Sequence, residues 1–445
     1  MHKPELLSPA GSLKSMRYAF AYGADAIYAG QPRYSLRVRN NEFNKDENLA
    51  QAITEAHKLG KSFYLATNLA PHNDKIRSFV RDMEPIIAMG PDALIMSDPG
   101  LILLVREHWP DQAVHLSVQA NAVNWASVKF WQQQGISRVI LSRELSLDEI
   151  EEIRQRVPDM ELEVFVHGAL CIAYSGRCLL SGYMTHRDSN QGACTNSCRW
   201  KYTAQEARET AEGDVVAVHN YDPERPPRPR TTTQQDTVFL LQEEGRPGEW
   251  MPAFEDEHGT YIMNSKDLRA VQHIKRLTQM GIHSLKIEGR TKSHFYAART
   301  AQIYRRAIED AATQADFDWT LMEQLEGLAH RGYTEGFYRR HLPAEYQNYE
   351  QNTSRSGTQQ FVGEVVELDR NSGLMTIQVK NRFSVGDELT LMTPRGDHPF
   401  RLTHMETTGG DAVATAKGDG WVVRIPAPGD VDPDFAMLIR HLAPT

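Results

Sequence analysis

The stretch AFAYG-ADAIYAGQ (19–31) joins the end of a helical pattern, a glycine, and a short apolar strand that stops at a polar residue. The unit returns as IIAMG-PDALIMSD (86–98), FWQQQG-ISRVILSRE (130–144) and LTQMG-IHSLKIEGR (277–290). Gly23, Gly90, Gly135 and Gly281 stand where a helix C-terminus favours a residue with positive φ. Between these units lie KSFYLATNLAP (61–71), AVHLSVQANAVN (113–124) and ELEVFVHGALC (161–171), each with the pattern of a buried strand. In SLDEIEEIRQRV (146–157), Ser146 and Glu149 have capping-box spacing, and Ile150, Ile153 and Val157 share a face. With ELLSPAG at the start, strands are expected near 5–8, 25–29, 62–66, 93–96, 114–118, 138–141, 162–166 and 284–287. Eight short strands alternating with amphipathic helices predict an α/β fold, a TIM-like (β/α)8 barrel with a closed parallel sheet.

The rhythm breaks twice. Residues 203–258 are polar and rich in proline and charge, which reads as an excursion inserted into a barrel domain of residues 1–340. FEDEHGTYIMNSKDL (254–268) returns to order, with Ser265 placed to cap a helix over LRAVQHIKRLTQM. A linker at 341–358 leads into alternating strands with Asn-Ser-Gly and Val-Gly-Asp turns, so 359–445 is expected to be a small C-terminal β-barrel domain.

The chain has 445 residues and a net charge of -9, and 40% of it is apolar, as in a globular protein of two or three domains. The acidity is local. Residues 205–258 hold 13 acidic and 5 basic residues, while 1–40, 171–201 and 283–306 are net positive. A body with positive patches can hold a phosphate backbone, and the acidic stretch suits a partner-protein surface. No secretion signal, lipidation signal or bilayer-length apolar run is evident, so a cytoplasmic location without membrane contact is expected.

Only four cysteines occur, Cys171, Cys178, Cys194 and Cys198, all within 28 residues. Random placement gives such clustering roughly once in a thousand chains. The spacing C-x6-C-x15-C-x3-C matches neither a zinc ribbon nor a ferredoxin run. Four thiolates suit an iron–sulfur cluster or zinc, and the place of Cys171 just after a barrel strand favours the cluster. Disulfides and a nucleophilic cysteine are the lesser readings. No HExxH, G-x-S-x-G or GxxxxGK[ST] motif is present. Polar residues gather at the expected strand ends: Gln31, Arg33, Thr67, Asn68, Ser97, Asp98, Gln119, Asn121, Arg143, Glu144, His167, Glu288 and Arg290. His167, Glu288 and Asn121 are the candidates for catalytic work, with Gln119 as a substrate contact.

The run EVFVHGALCIAYSGRCLLS (163–181) resembles the signature of the U32 family, long labelled collagenase-like peptidases. PELLSPAG (4–11), YGADAIYAG (22–30), SVQANAVNW (117–125) and LKIEGRTKS (285–293) resemble further blocks of that family. The resemblance spans essentially the whole chain. It implies membership of the oxygen-independent hydroxylation branches, which act on tRNA, rRNA or ubiquinone precursors. There a [4Fe-4S] cluster would sit on Cys171, Cys178, Cys194 and Cys198. The tRNA branch implies formation of 5-hydroxyuridine at wobble position 34, with prephenate as a co-substrate. Arg33, Arg37, Arg39, Lys286 and Arg290 would then supply donors for a dicarboxylate. The partners implied are a tRNA anticodon loop and an electron donor or iron–sulfur delivery protein. Its bases would stack on aromatic rings, for which Tyr28, Tyr34, Trp125, Tyr174 and Trp200 are candidates. A U32-type peptidase, hydroxylation of another substrate such as rRNA, and an RNA-binding protein with a structural metal site are the alternatives.

Overall fold

The computed structural model describes residues 3–36, 41–170, 174, 266–328, 332–339 and 359–442, and between 202 and 260 the backbone of five strands. The barrel begins with β1 (Glu5–Pro9), β2 (Ala26–Gly30), β3 (Ser62–Ala66), β4 (Ala93–Met96), β5 (Val114–Leu116), β6 (Arg138–Ile140) and β7 (Glu161–Ala169). Between them run α1 (Leu13–Ala21), α2 (Asp46–Lys58), α3 (Asn73–Ala88), α4 (Pro99–His108), α5 (Trp125–Gln133) and α6 (Leu147–Arg156). Side-chain caps fix several helix starts: Ser12, Asp98 and Asn124 each accept a backbone N–H, and Ser146 with Glu149 closes the capping box. All four helix-ending glycines have positive φ, between 76° and 104°.

After β7 come β8 (Tyr202–Glu209), β9 (Val215–Ala217), β10 (Thr237–Glu243), β11 (Trp250–Asp256) and β12 (Gly259–Thr260), an antiparallel sheet within the excursion. Next are β13 (Asp267–Arg269), α7 (Ile274–Gln279), β14 (Ser284–Ile287), α8 (His294–Ala312), α9 (Thr320–Glu326) and β15 (Tyr333–Thr334). The barrel closes through β14, which pairs in parallel with both β7 and β1. Eight parallel strands therefore form the ring, each near its expected position. The helix expected over 268–280 begins only at Ile274. Residues 267–269 instead pair antiparallel with the end of β7 and parallel with β15, and Ser265 lies outside the described residues.

The C-terminal region corrects the expectation of a second barrel. Its strands are β16 (Gln359–Asp369), β17 (Leu374–Val379), β18 (Phe383–Ser384), β19 (Glu388–Thr393), β20 (Gly396–Arg401), β21 (Glu406–Thr407), β22 (Thr415–Ala416), β23 (Val422–Pro426) and β24 (Met437–His441). Seven of them form an open sheet in the order β20-β19-β24-β16-β17-β23-β21, and β18 pairs only with β22. The edge strand β20 reads GDHPFR, and Pro399 lacks the N–H that further pairing needs. At the other edge β21 has two residues, too few to close a ring.

Alternation along β19 assigns the two faces of this sheet. Leu389 and Leu391 enter its own core with Ile377, Val423 and Leu438, while Met392, Met437 and Ile439 join the barrel's core. Polar contacts frame this junction. The Tyr22 hydroxyl lies 3.0 and 2.9 Å from the Met392 and Phe435 carbonyls, and Arg299 meets Asp397 at 2.6 Å. Glu364 receives Lys14 at 2.5 Å and His294 at 3.1 Å.

Burial alone would raise the Glu364 carboxyl, but the adjoining His294 and the hydrogen-bonded Lys14 outweigh it and hold the group down at about 2. A depressed carboxyl stabilises the fold above its unfolded value near 4.5 and loses that contribution as pH falls through about 2. Glu364→Gln should cost about 1–2 kcal/mol at pH 7, allowing for solvent screening at the junction's edge, with the difference shrinking between pH 4.5 and 2. Urea unfolding of both proteins across that range measures it; a pH-independent gap would remove Glu364 from the linkage.

Candidate active site at the barrel mouth

Inward positions of a TIM barrel normally carry branched apolar side chains. Here four neighbouring strands send charges inward instead. Glu163 on β7 is 0% exposed and Lys286 on β14 is 2% exposed, so neither charge is tolerable without a partner. Lys286 Nζ lies 2.7 Å from Glu163 Oε1. Arg138 on β6 reaches Glu163 Oε2 at 3.3 Å and Glu5 Oε1 on β1 at 2.6 Å. Tyr64 donates to Glu5 at 2.6 Å, and Ser284 donates to it at 3.0 Å. Two carboxylates and two cations balance in the interior, with half-exposed Glu161 adding a bond to Arg138 at the rim.

Burial would raise the Glu163 carboxyl, but Lys286 and then Arg138 outweigh it and keep the group low. Burial lowers Lys286, and Glu163 only partly offsets this. His115 on β5 packs edge-on to Tyr64 and is pushed well down by burial, then by Arg138 and Lys286, so its imidazole is neutral. Sequence reasoning selected Lys286 but missed Glu5, Tyr64, His115, Arg138 and Glu163. The available signal was single charges at alternate positions inside apolar runs, as in ELEVFV (161–166) and HSLKIEG (283–289).

Above this network lies the mouth. Arg143, just past β6, donates to the Ala169 carbonyl at 2.8 Å and meets Glu288 at 3.3 Å. Its guanidinium stands 3.8 Å from the Phe165 ring centroid, a position suited to a cation–π contact. Arg290 crosses the end of β2 to reach Ser35 Oγ and the Leu36 carbonyl, each at 2.8 Å. It can do so because residue 30 is glycine: a Cβ there would stand 2.7 Å from the guanidinium. On the next sector, Ser142 Oγ lies 2.7 Å from Asn121 Oδ1 and also contacts Glu144. Gln119 Oε1 is buried without a hydrogen-bond partner among the described residues. The ends of β5, β6, β7 and β14 therefore place Gln119, Asn121, Arg143, Glu288 and Arg290 on adjoining sectors of one rim.

Other candidates go elsewhere. A register shift opposite Lys286 and Ile287 turns His167 toward α8, where its ring packs among Tyr296, Tyr304 and Tyr333. Arg33 pairs with Asp82 of α3 at 2.7 Å. Tyr28 and Tyr34 are buried in the wall, while Trp125 and Tyr174 are exposed. Arg37, Arg39, Trp200 and all four cysteines lie outside the described residues. The chain nevertheless reaches them from the mouth: β7 ends at Ala169, held by Arg143, two positions before Cys171. At Gly168, φ is +103° and a Cβ would stand 2.3 Å from the Glu288 carbonyl oxygen, so only glycine allows this exit path. Among the described residues no group of three His, Cys, Asp or Glu side chains is placed to hold a metal, and no helix is long and apolar enough to cross a membrane.

Comparison with known families matches residues 11–348 to the model of peptidase family U32 and residues 357–440 to that family's C-terminal domain. The chain belongs to the U32 family. It is similar to the tRNA hydroxylation protein P of Escherichia coli (strain K12), with 64% identity over all of this chain and 98% of that protein. The protein of the same name from Haemophilus influenzae is 59% identical over 100% of this chain and 97% of its own length. The tRNA hydroxylation protein P1 of Bacillus subtilis (strain 168) is 35% identical over 88% and 84%.

In this U32 chain the interior ion pair supplies a direct test. Lys286→Met should cost about 3–5 kcal/mol by leaving Glu163 and Glu5 to share Arg138 in the interior, and adding Glu163→Gln should restore a large part of the loss. Urea unfolding of the two single variants and the double reads the coupling, and strictly additive losses would show that the pair is not coupled.

Proposed function

We propose that this chain is an enzyme of tRNA modification, required for oxygen-independent hydroxylation of wobble uridine 34 to 5-hydroxyuridine. The observation that carries the reading is 64% identity over the full chain to a tRNA hydroxylation protein. The family relationship supports an enzymatic role of that general kind. The polar rim built by Arg143, Glu288, Arg290, Asn121 and Gln119 gives a single-stranded anticodon base hydrogen-bonding groups to meet.

Cys171, Cys178, Cys194 and Cys198 form a complete all-thiolate donor set in a chain with no other cysteine, and that chemistry fits a [4Fe-4S] cluster. When bound, such a cluster supplies one-electron redox chemistry. The protein's own groups bind and orient. Arg143 fixes the Ala169 carbonyl at the start of the cysteine segment, and its guanidinium, paired with Glu288, stands over Phe165. Arg290 brings positive charge to the mouth, which suits an acidic co-substrate such as prephenate. An electron donor or iron–sulfur delivery protein would be the protein partner.

The test uses a deletion strain grown without oxygen and nucleoside mass spectrometry of its tRNA. Loss of 5-hydroxyuridine derivatives, restored by the wild-type gene but not by a Cys171→Ser variant, is the expected result. Undiminished derivatives in the deletion strain would sink the reading. Anaerobically purified protein should contain about four iron and four sulfide per chain; one zinc and no iron would exclude the cluster.

A further inference from the structure

Outside the barrel ring, β13, β15 and α9 enclose a cleft of about 390 Å³, lined in part by Lys266, Arg269, Gln272, Tyr333 and Arg339. That volume is at the small end of ligand pockets, which run from about 300 to 1,000 Å³, and is enough for one nucleotide unit. The cleft adjoins the mouth, because Lys266 immediately precedes Asp267, which pairs with Ala169 at the end of β7.

The cleft's charges are unevenly matched. Arg269 pairs with Glu326 and stands 4.6 Å from the Tyr333 ring centroid, and Arg339 pairs with Glu335, which also receives His273 at 2.8 Å. Lys266 has no hydrogen-bond or ion-pair partner among the described residues, although its stem lies along Gly332. Among the described residues, one positive charge on the lining is thus uncompensated. In the same wall, Gln272 Oε1 is buried without a hydrogen-bond partner among the described residues. A buried carbonyl oxygen left unpaired costs about 1–3 kcal/mol, which a ligand N–H or O–H would relieve.

A ligand for this cleft therefore needs an anionic oxygen for Lys266 and a hydrogen-bond donor for Gln272. A phosphodiester carries a single negative charge and matches the cation left unpaired among the described residues, whereas a phosphomonoester carries about -1.5 to -2. We infer that this cleft binds one ribonucleotide unit of the RNA strand beside the reacting base, its phosphodiester on Lys266 and its 2′-hydroxyl or base N–H on Gln272. The inference rests on the tRNA reading above. It assigns a second contact, which positions the strand and takes no part in the chemistry.

The experiment measures binding of an unmodified tRNA transcript to the full-length protein by fluorescence anisotropy at several salt concentrations. Lys266→Ala should weaken binding about three- to tenfold at 0.1 M salt and reduce the log–log salt slope by about one. Gln272→Leu should weaken binding about threefold while its melting temperature stays level or rises, because an unsatisfied buried atom is removed. Lys58→Ala, exposed at the end of α2 on the far side of the barrel, is the control and should match wild type. Wild-type binding of tRNA with both cleft variants unchanged would overturn the cleft and leave the tRNA reading standing. Uridine 5′-monophosphate binding that Lys266→Ala abolishes, with tRNA affinity unaltered, would make this a free-nucleotide site and overturn the strand assignment. Absence of any tRNA binding by wild type would defeat both.

Discussion

The ion pair between Glu163 and Lys286 sits at the seam where the barrel closes. β7 and β14 are ring neighbours, although β7 ends at Ala169 and β14 begins at Ser284, 115 positions later in the chain. Arg138 and Glu5 extend the pair to the strands on either side, so four consecutive strands are tied by charges that cannot remain unpaired in an interior of low polarity. An apolar seam would accept a slipped register with modest loss. A charged one does not, because a slip strands a carboxylate or an ammonium. That register in turn fixes where Arg143, Glu288 and Arg290 emerge at the mouth.

The barrel was legible because its signal is local and repeated. Each helix–glycine–strand unit, such as AFAYG-ADAIYAGQ, carries its own stop and its own apolar run, and no distant partner is needed to recognise it. The polar rim was legible for a related reason: the residue after a barrel strand faces the mouth whatever the rest of the chain does. Interior charge was harder. Glu163 looks like an ordinary surface position within ELEVFV until the pairing with Lys286 is known. The direction of His167 was hidden for the opposite reason, since strict alternation would point it with Glu163 and Phe165, and the register shift beside Ile287 turns it toward α8.

The C-terminal sheet shows what strand patterns leave undetermined. Alternation and turns located its strands, but closure depends on whether the two edges meet. That question is decided by Pro399 and by the shortness of β21, features of the edges and not of the periodicity. The sheet is instead completed by the barrel. Its second face, through Met392, Met437 and Ile439, is part of the larger core, so what resembles an appended module is one wall of the main structure.

The interruption between β7 and β14 has an evolutionary side. Loop closure costs free energy only as the logarithm of loop length, about 0.6 kcal/mol for each doubling. Once the seam is secured by paired charges, the chain between its two strands can lengthen, shorten or acquire a sheet of its own at little expense to the barrel. The scaffold and the segment that carries the four cysteines are therefore free to change at different rates. A family built this way can keep one ring and redirect its chemistry by editing the insertion that leaves from Gly168.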